Sequence, residues 1–139
     1  MKKSKLLNSE ISSCISKLGH TDSLTIGDCG LPIPNGVKRI DLCVTKGLPE
    51  FIPVLLAVLD EQAVEKIILA EEIKEKSKEL NDEIIKIFKA MEIDENRKID
   101  IVYLPHEEFK ISTASSKAVI RTGEYKPYAN IILVSGVTF

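Results

Sequence analysis

The segment Gly19 to Pro34, GHTDSLTIGDCGLPIP, constrains the fold more than any other stretch of the chain. Gly19 closes a helical pattern, a short apolar run from Leu24 to Gly27 follows, and the run ends at Asp28. Pro32 and Pro34 then fix two φ angles and remove two backbone donors, so Leu31 to Gly36 is a stiff irregular loop. In an α/β domain, groups just past the carboxyl ends of strands face the crevice where ligands bind, which places Asp28 and the Cys29 to Pro34 loop for chemistry. His20 follows the helix terminus and is expected to fold back onto the same rim as Asp28. A histidine and a carboxylate on one rim form an acid/base candidate. Each also has a purely structural reading: His20 complements the negative end of a helix dipole, and Asp28 makes an Asx turn into Gly30.

Length and charge narrow the function. At 139 residues the chain reads as a single domain spanning 1–139, long enough to bury about two-thirds of its extended surface. It carries 19 basic and 21 acidic side chains, a net charge of -2, with no basic stripe. A nucleic acid or an anionic membrane is therefore not expected as the main partner. Lys2, Lys3 and Lys5 precede only Leu6 and Leu7 before Asn8, Ser9 and Glu10, too short an apolar run for a signal peptide. The three cysteines lack any CxxC spacing, which argues against a disulfide framework and a thiolate zinc site and favours a cytoplasmic protein. Cys14 and Cys43 fit apolar faces, and the carboxylate beside Cys29 disfavours a nucleophilic thiolate there.

The remaining chain supplies strands and helices in turn. Asn8 or Ser9 caps a helix with Ile11, Cys14, Ile15 and Leu18 on one face. Strands are predicted over Arg39 to Thr45, Lys66 to Ala70, Ile99 to Leu104, Ala118 to Thr122 and Asn130 to Ser135. A helix from Glu50 to Leu59 is apolar around most of its circumference and calls for cover on several sides, one of them from a neighbouring subunit. Glu71 to Met91 reads as helical with a candidate break at Ser77 to Asp82, and its charged run as a solvated face. His106 follows a strand and opens a helix from His106 to Ser116, which repeats the arrangement of a protonatable group just beyond a strand. Tyr125 to Asn130 is a polar loop with two phenols and an amide, groups able to bond sugar hydroxyls. No activated nucleophile, GxGxxG or phosphate-cradling loop is present. Proton transfer on a neutral polar substrate is the reaction class that these residues support.

Six segments carry a resemblance: LLNSEISSCISKLGHTD (Leu6 to Asp22), DCGLPIP (Asp28 to Pro34), RIDLCVTKGLP (Arg39 to Pro49), HEEFK (His106 to Lys110), AVIRTGE (Ala118 to Glu124) and PYANIILVSGVTF (Pro127 to Phe139). In this order they resemble the family of ribose pyranases and fucose mutarotases, with GLPIP and HEEF favouring the ribose branch. The resemblance implies a three-layer α/β/α sandwich around a mostly parallel sheet. It also implies stacked rings of five subunits forming a homodecamer, with the pocket between adjacent subunits. The implied reaction is interconversion of the β-pyranose and β-furanose forms of D-ribose, without cofactor or metal. Carried over by residue, His20 is similar to the family's proton donor, and Asp28, His106, Tyr128, Ala129 and Asn130 match its sugar-binding positions. Asp28 is expected to orient the His20 imidazole.

Two rival readings belong to other classes. A non-catalytic ribose-binding or regulatory subunit of an uptake system needs Asp28, Tyr128 and Asn130 but no titrating histidine. A metal-dependent isomerase would use His20, Asp28 and His106 as ligands, although no HxH or HxxxH spacing supports it.

Overall fold

A computed structural model describes the whole chain, Met1–Phe139. Its elements in order are α1 (Ser9–Ile15), β1 (Ser23–Gly27), β2 (Lys38–Asp41), α2 (Phe51–Leu59), β3 (Val64–Ala70), α3 (Ile73–Lys76), α4 (Lys78–Asp94), β4 (Asp100–Leu104), α5 (His106–Ser112), a 3₁₀ turn over Thr113–Ser115, β5 (Ala118–Arg121) and β6 (Ile131–Ser135). The six strands form one sheet in the order β2-β5-β1-β6-β3-β4. All neighbours are parallel except β6, which runs antiparallel to both β1 and β3.

Side-chain alternation along the strands divides the interior into two layers of packing. Leu24, Ile26, Ile67, Leu69, Ile120 and Leu133 point to one face, where they meet Ile11 of α1, Phe51 and Leu55 of α2, and Leu80, Ile84 and Phe88 of α4. Val119, Ile132 and Val134 point to the other, against Phe109 of α5 and Leu31 of the stiff loop. Helices thus cover both faces, and every residue of the central strand β1 is buried. The i, i+4 spacing of Leu80, Ile84 and Phe88 makes a single stripe, and each such side chain contributes about 1.5–3 kcal/mol on burial. The edge strand β2 presents Lys38, Arg39 and Asp41 to solvent and buries only Ile40, which discourages pairing with a further strand.

Several boundaries differ from the periodicity. Asn8 caps α1 by accepting the Ile11 N–H, but the helix ends at Ile15, well before Gly19, because Asp22 draws Gly19 into a separate turn. β2 stops at Asp41, whose carboxylate accepts the Cys43 N–H and bends the chain away. The break in the long helical stretch falls at Ser77, which has an extended φ of -144 and divides α3 from α4. α2 buries Phe51, Val54, Leu55 and Val58 within the chain itself, leaving Leu56 exposed. No helix is long and apolar enough to cross a membrane.

Candidate functional site

Polar groups collect at the carboxyl ends of the parallel strands. Asp28 leaves β1 there, and Asn130 enters β6 there, because the antiparallel register sets Ile26 opposite Ile131. The two residues bond reciprocally: the Asp28 backbone N–H donates to Asn130 Oδ1 at 2.9 Å, and Asn130 Nδ2 donates to Asp28 Oδ2 at 3.1 Å. Gly30 N–H donates to Asp28 Oδ1 at 2.9 Å, so the Asx turn anticipated at Gly30 is present as well. Gly27 has no room for a side chain, since a Cβ would sit 2.6 Å from Leu31 Cδ2 and 3.1 Å from Asn130 Oδ1. Burial pushes the Asp28 carboxyl up from its ordinary range, while bonds from Gly30, Asn130 and Leu31 and the charge of His106 pull it back.

His106 joins this cluster from the end of β4. Its ring meets Tyr128 edge-on with centroids 5.0 Å apart and stacks on Phe109 at 6.3 Å. Its Nδ1 is buried without a protein partner. Both Glu72 carboxylate oxygens accept the His106 backbone N–H, at 3.0 and 3.1 Å, and so fix the start of α5. Glu72 was missed by the charge pattern, which assigns it to a solvated face; only the adjacency of β3 and β4 reveals its partner. Tyr128 has a φ of 62, an uncommon conformation for a bulky residue and one often found at functional sites. The Ala129 side chain is fully buried in the helix-side core, so Ala129 anchors the loop and offers only its backbone. Tyr125 lies outside the cluster, exposed, with Lys46 over its ring.

A second carboxylate holds the neighbouring loop. Glu124 accepts N–H groups from Phe51, Tyr125 and Lys126 at 3.2, 3.0 and 3.0 Å. Burial raises its carboxyl, but those three donors and the charge of Lys126 outweigh it and hold the group below its ordinary range. The Glu124 carbonyl also accepts Cys29 N–H, and Thr122 Oγ1 donates to the Gly27 carbonyl, which fastens this loop to the Asp28 turn.

His20 is placed elsewhere, which corrects the expectation of a shared rim. It precedes β1 whereas Asp28 follows it, and at about 3.3 Å per residue the five residues of the strand hold them roughly 16 Å apart. Within one chain Asp28 therefore does not orient this imidazole. Instead, His20 Nε2 lies 2.9 Å from Glu65 Oε2, and the ring lines a cavity of about 320 Å³ with Leu18, Gln62, Gly136 and Phe139. Within one chain, His20, Asp28 and His106 do not converge, and no group of three such side chains is placed to hold a metal ion.

The comparisons with known proteins cover the whole chain. Residues 1–138 match the model of the RbsD / FucU transport protein family. The chain belongs to that family. A D-ribose pyranase of Proteus mirabilis is 53% identical over 139 residues, all of both chains, and one of Haemophilus influenzae is 50% identical over the same span. Among solved structures, Bacillus subtilis RbsD complexed with D-ribose superposes with a TM-score of 0.91 at 46% identity, covering 100% of each chain. The fucose mutarotase of Streptococcus pneumoniae in complex with L-fucose gives 0.70 at 25% identity, again over 100% of each. Within this family the three-layer α/β architecture with its mostly parallel sheet is shared.

Proposed function

We propose that the chain is a D-ribose pyranase, an isomerase interconverting the β-pyranose and β-furanose forms of D-ribose. The observation that carries this reading is the full-length relation to D-ribose pyranases and to a ribose-bound fold, joined to a polar cluster of sugar-binding chemistry at the carboxyl ends of the strands. Asp28, Asn130, Tyr128 and His106 supply the donors and acceptors that orient ribose hydroxyls. His20 supplies the acid.

The two half-sites require a second copy of the chain. A cleft between adjacent subunits brings His20 of one copy over the Asp28 and His106 cluster of the next, in a homo-oligomer assembled as two stacked pentameric rings. The exposed ring of His20 and the exposed Leu56 of α2 are compatible with such an assembly. The protein acts in the cytoplasm, without nucleic-acid or membrane partners.

Ring opening needs one proton delivered and one removed. The imidazolium of His20 gives its proton to the ring oxygen as the C1–O bond breaks. The anomeric hydroxyl loses its proton to the carboxyl-end cluster, with His106 as the base on this reading, and C1 becomes a carbonyl. Reclosure through the C4 hydroxyl returns both protons and changes the ring size. Positioned acid/base groups supply a factor of about 10²–10⁴, sufficient for a reaction that also proceeds in water.

Saturation-transfer NMR on ribose tests the reading directly. The wild-type protein accelerates exchange between ring forms with or without a chelator, and His20→Asn loses the acceleration while keeping its assembly. A protein that binds ribose without speeding exchange would instead be the binding subunit of an uptake system.

A further inference from the structure

The β3 strand contains a bulge: Val64 opposes Ser135 and Lys66 opposes Val134, which leaves Glu65 as the extra residue. Bulges next to functional sites re-aim side chains, and this one sends the Glu65 carboxylate to His20. Gly136 clears its path, because a Cβ there would sit 3.1 Å from Glu65 Cβ and 3.4 Å from Glu65 N. His20 is held from its own side by a strained turn. Thr21, a β-branched residue, has a φ of 68, its N–H donates to the Ser135 carbonyl at 2.9 Å, and Asp22 Oδ2 accepts Gly19 N–H at 2.9 Å. An ionised carboxylate only accepts, so the 2.9 Å contact keeps hydrogen on His20 Nε2.

We propose that Glu65 is the positioning residue for His20: it retains the Nε2 hydrogen and leaves Nδ1 as the nitrogen that exchanges a proton with the sugar. The inference rests on His20 being the acid of the proposed reaction. On ring opening the Nδ1 proton passes to the ring oxygen, and the imidazole becomes neutral with its remaining hydrogen still facing Glu65. On reclosure the C4 hydroxyl proton returns to Nδ1.

The test uses the intact oligomeric protein, with ribose exchange read by saturation-transfer NMR and ribose affinity by calorimetry. Glu65→Ala lowers the rate at saturating ribose by about tenfold to a hundredfold, a part of the acid/base total, and leaves affinity unchanged. Glu65→Gln, which preserves an acceptor for Nε2–H, restores most of that rate. An unchanged rate in Glu65→Ala, or a fall in affinity that matches the fall in rate, would overturn the assignment. The nitrogen is identified separately. His20→Asn places an amide where Nδ1 stands and keeps ribose affinity, whereas His20→Gln places it at Nε2 and weakens binding; the reverse order would refute the role of Nδ1. Wild-type exchange in His20→Asn would instead remove His20 as the acid, and that outcome is distinct from failure at Glu65 alone.

Discussion

At the carboxyl end of β1, Asp28 is locked by Asn130 and Gly30 in bonds of 2.9–3.1 Å, and burial raises its carboxyl. At the amino end, the His20 side chain is 54% exposed and has one partner, Glu65. The first cluster is stiff, multiply bonded and built around fixed donors and acceptors, as recognition of sugar hydroxyls requires. The second is open and holds a single imidazole–carboxylate contact, which suits the proton delivery proposed for it. On the proposed reading, one end of the sheet holds the sugar and takes its anomeric proton while the other delivers a proton to the ring oxygen, so the closed site would draw on two copies of the chain.

The most severe test of this division mixes two inactive variants. His20→Asn and Asp28→Ala each lack one half-site, and hetero-oligomers formed by unfolding and refolding them together recover ribose exchange that neither supports alone. If mixing restores nothing while oligomers form, both half-sites serve one chain and the comparison fails. Next in size is Asn130→Ala, which strips the reciprocal partner from Asp28. It weakens ribose binding by about 1.5–3 kcal/mol in calorimetry, while the rate at saturating ribose falls less than the affinity.

Glu124 sharpens the carboxyl end through stability. Replacing it with Ala leaves three N–H groups without their acceptor and costs about 2–3 kcal/mol in chemical denaturation at fixed protein concentration. Its folded carboxyl lies below the ordinary value of 4.5, so its contribution is present above that value and is lost as pH falls through the folded one. Asp28 has the opposite sign: its carboxyl lies above 3.8, and its contribution is lost as pH rises through the folded value. The acid limb of the melting profile is therefore shallower in Glu124→Gln than in the wild type. The smallest effect belongs to Ser77→Ala, which removes a 2.7 Å bond to the Pro127 carbonyl beside the Tyr128 loop. It lowers stability by about 0.5–1 kcal/mol and slightly weakens ribose binding.

Local signals made much of this architecture legible. The strand cores, the Asn8 cap, the Ser77 break and the stiff loop follow from alternation, capping chemistry and proline, all of which act within a few residues. Asp28, His106 and Tyr128 to Asn130 were recognisable because each flanks a strand. The placement of His20 was also within reach, since a strand run between two residues carries them to opposite ends of a sheet. Glu65 and Glu72 were hidden for a different reason. Their partners, His20 and the His106 amide, are 45 and 34 residues away, and a bulge or a strand adjacency leaves no periodic trace.

The reversed strand β6 carries a mechanical consequence. Asn130 enters it beside Asp28, and Ser135 and Gly136 leave it beside His20 and Glu65. A single inserted or deleted residue in this short segment would exchange its side chains between the two buried faces of the sheet and pull both half-sites out of alignment together. Its length is accordingly the least negotiable dimension of the molecule.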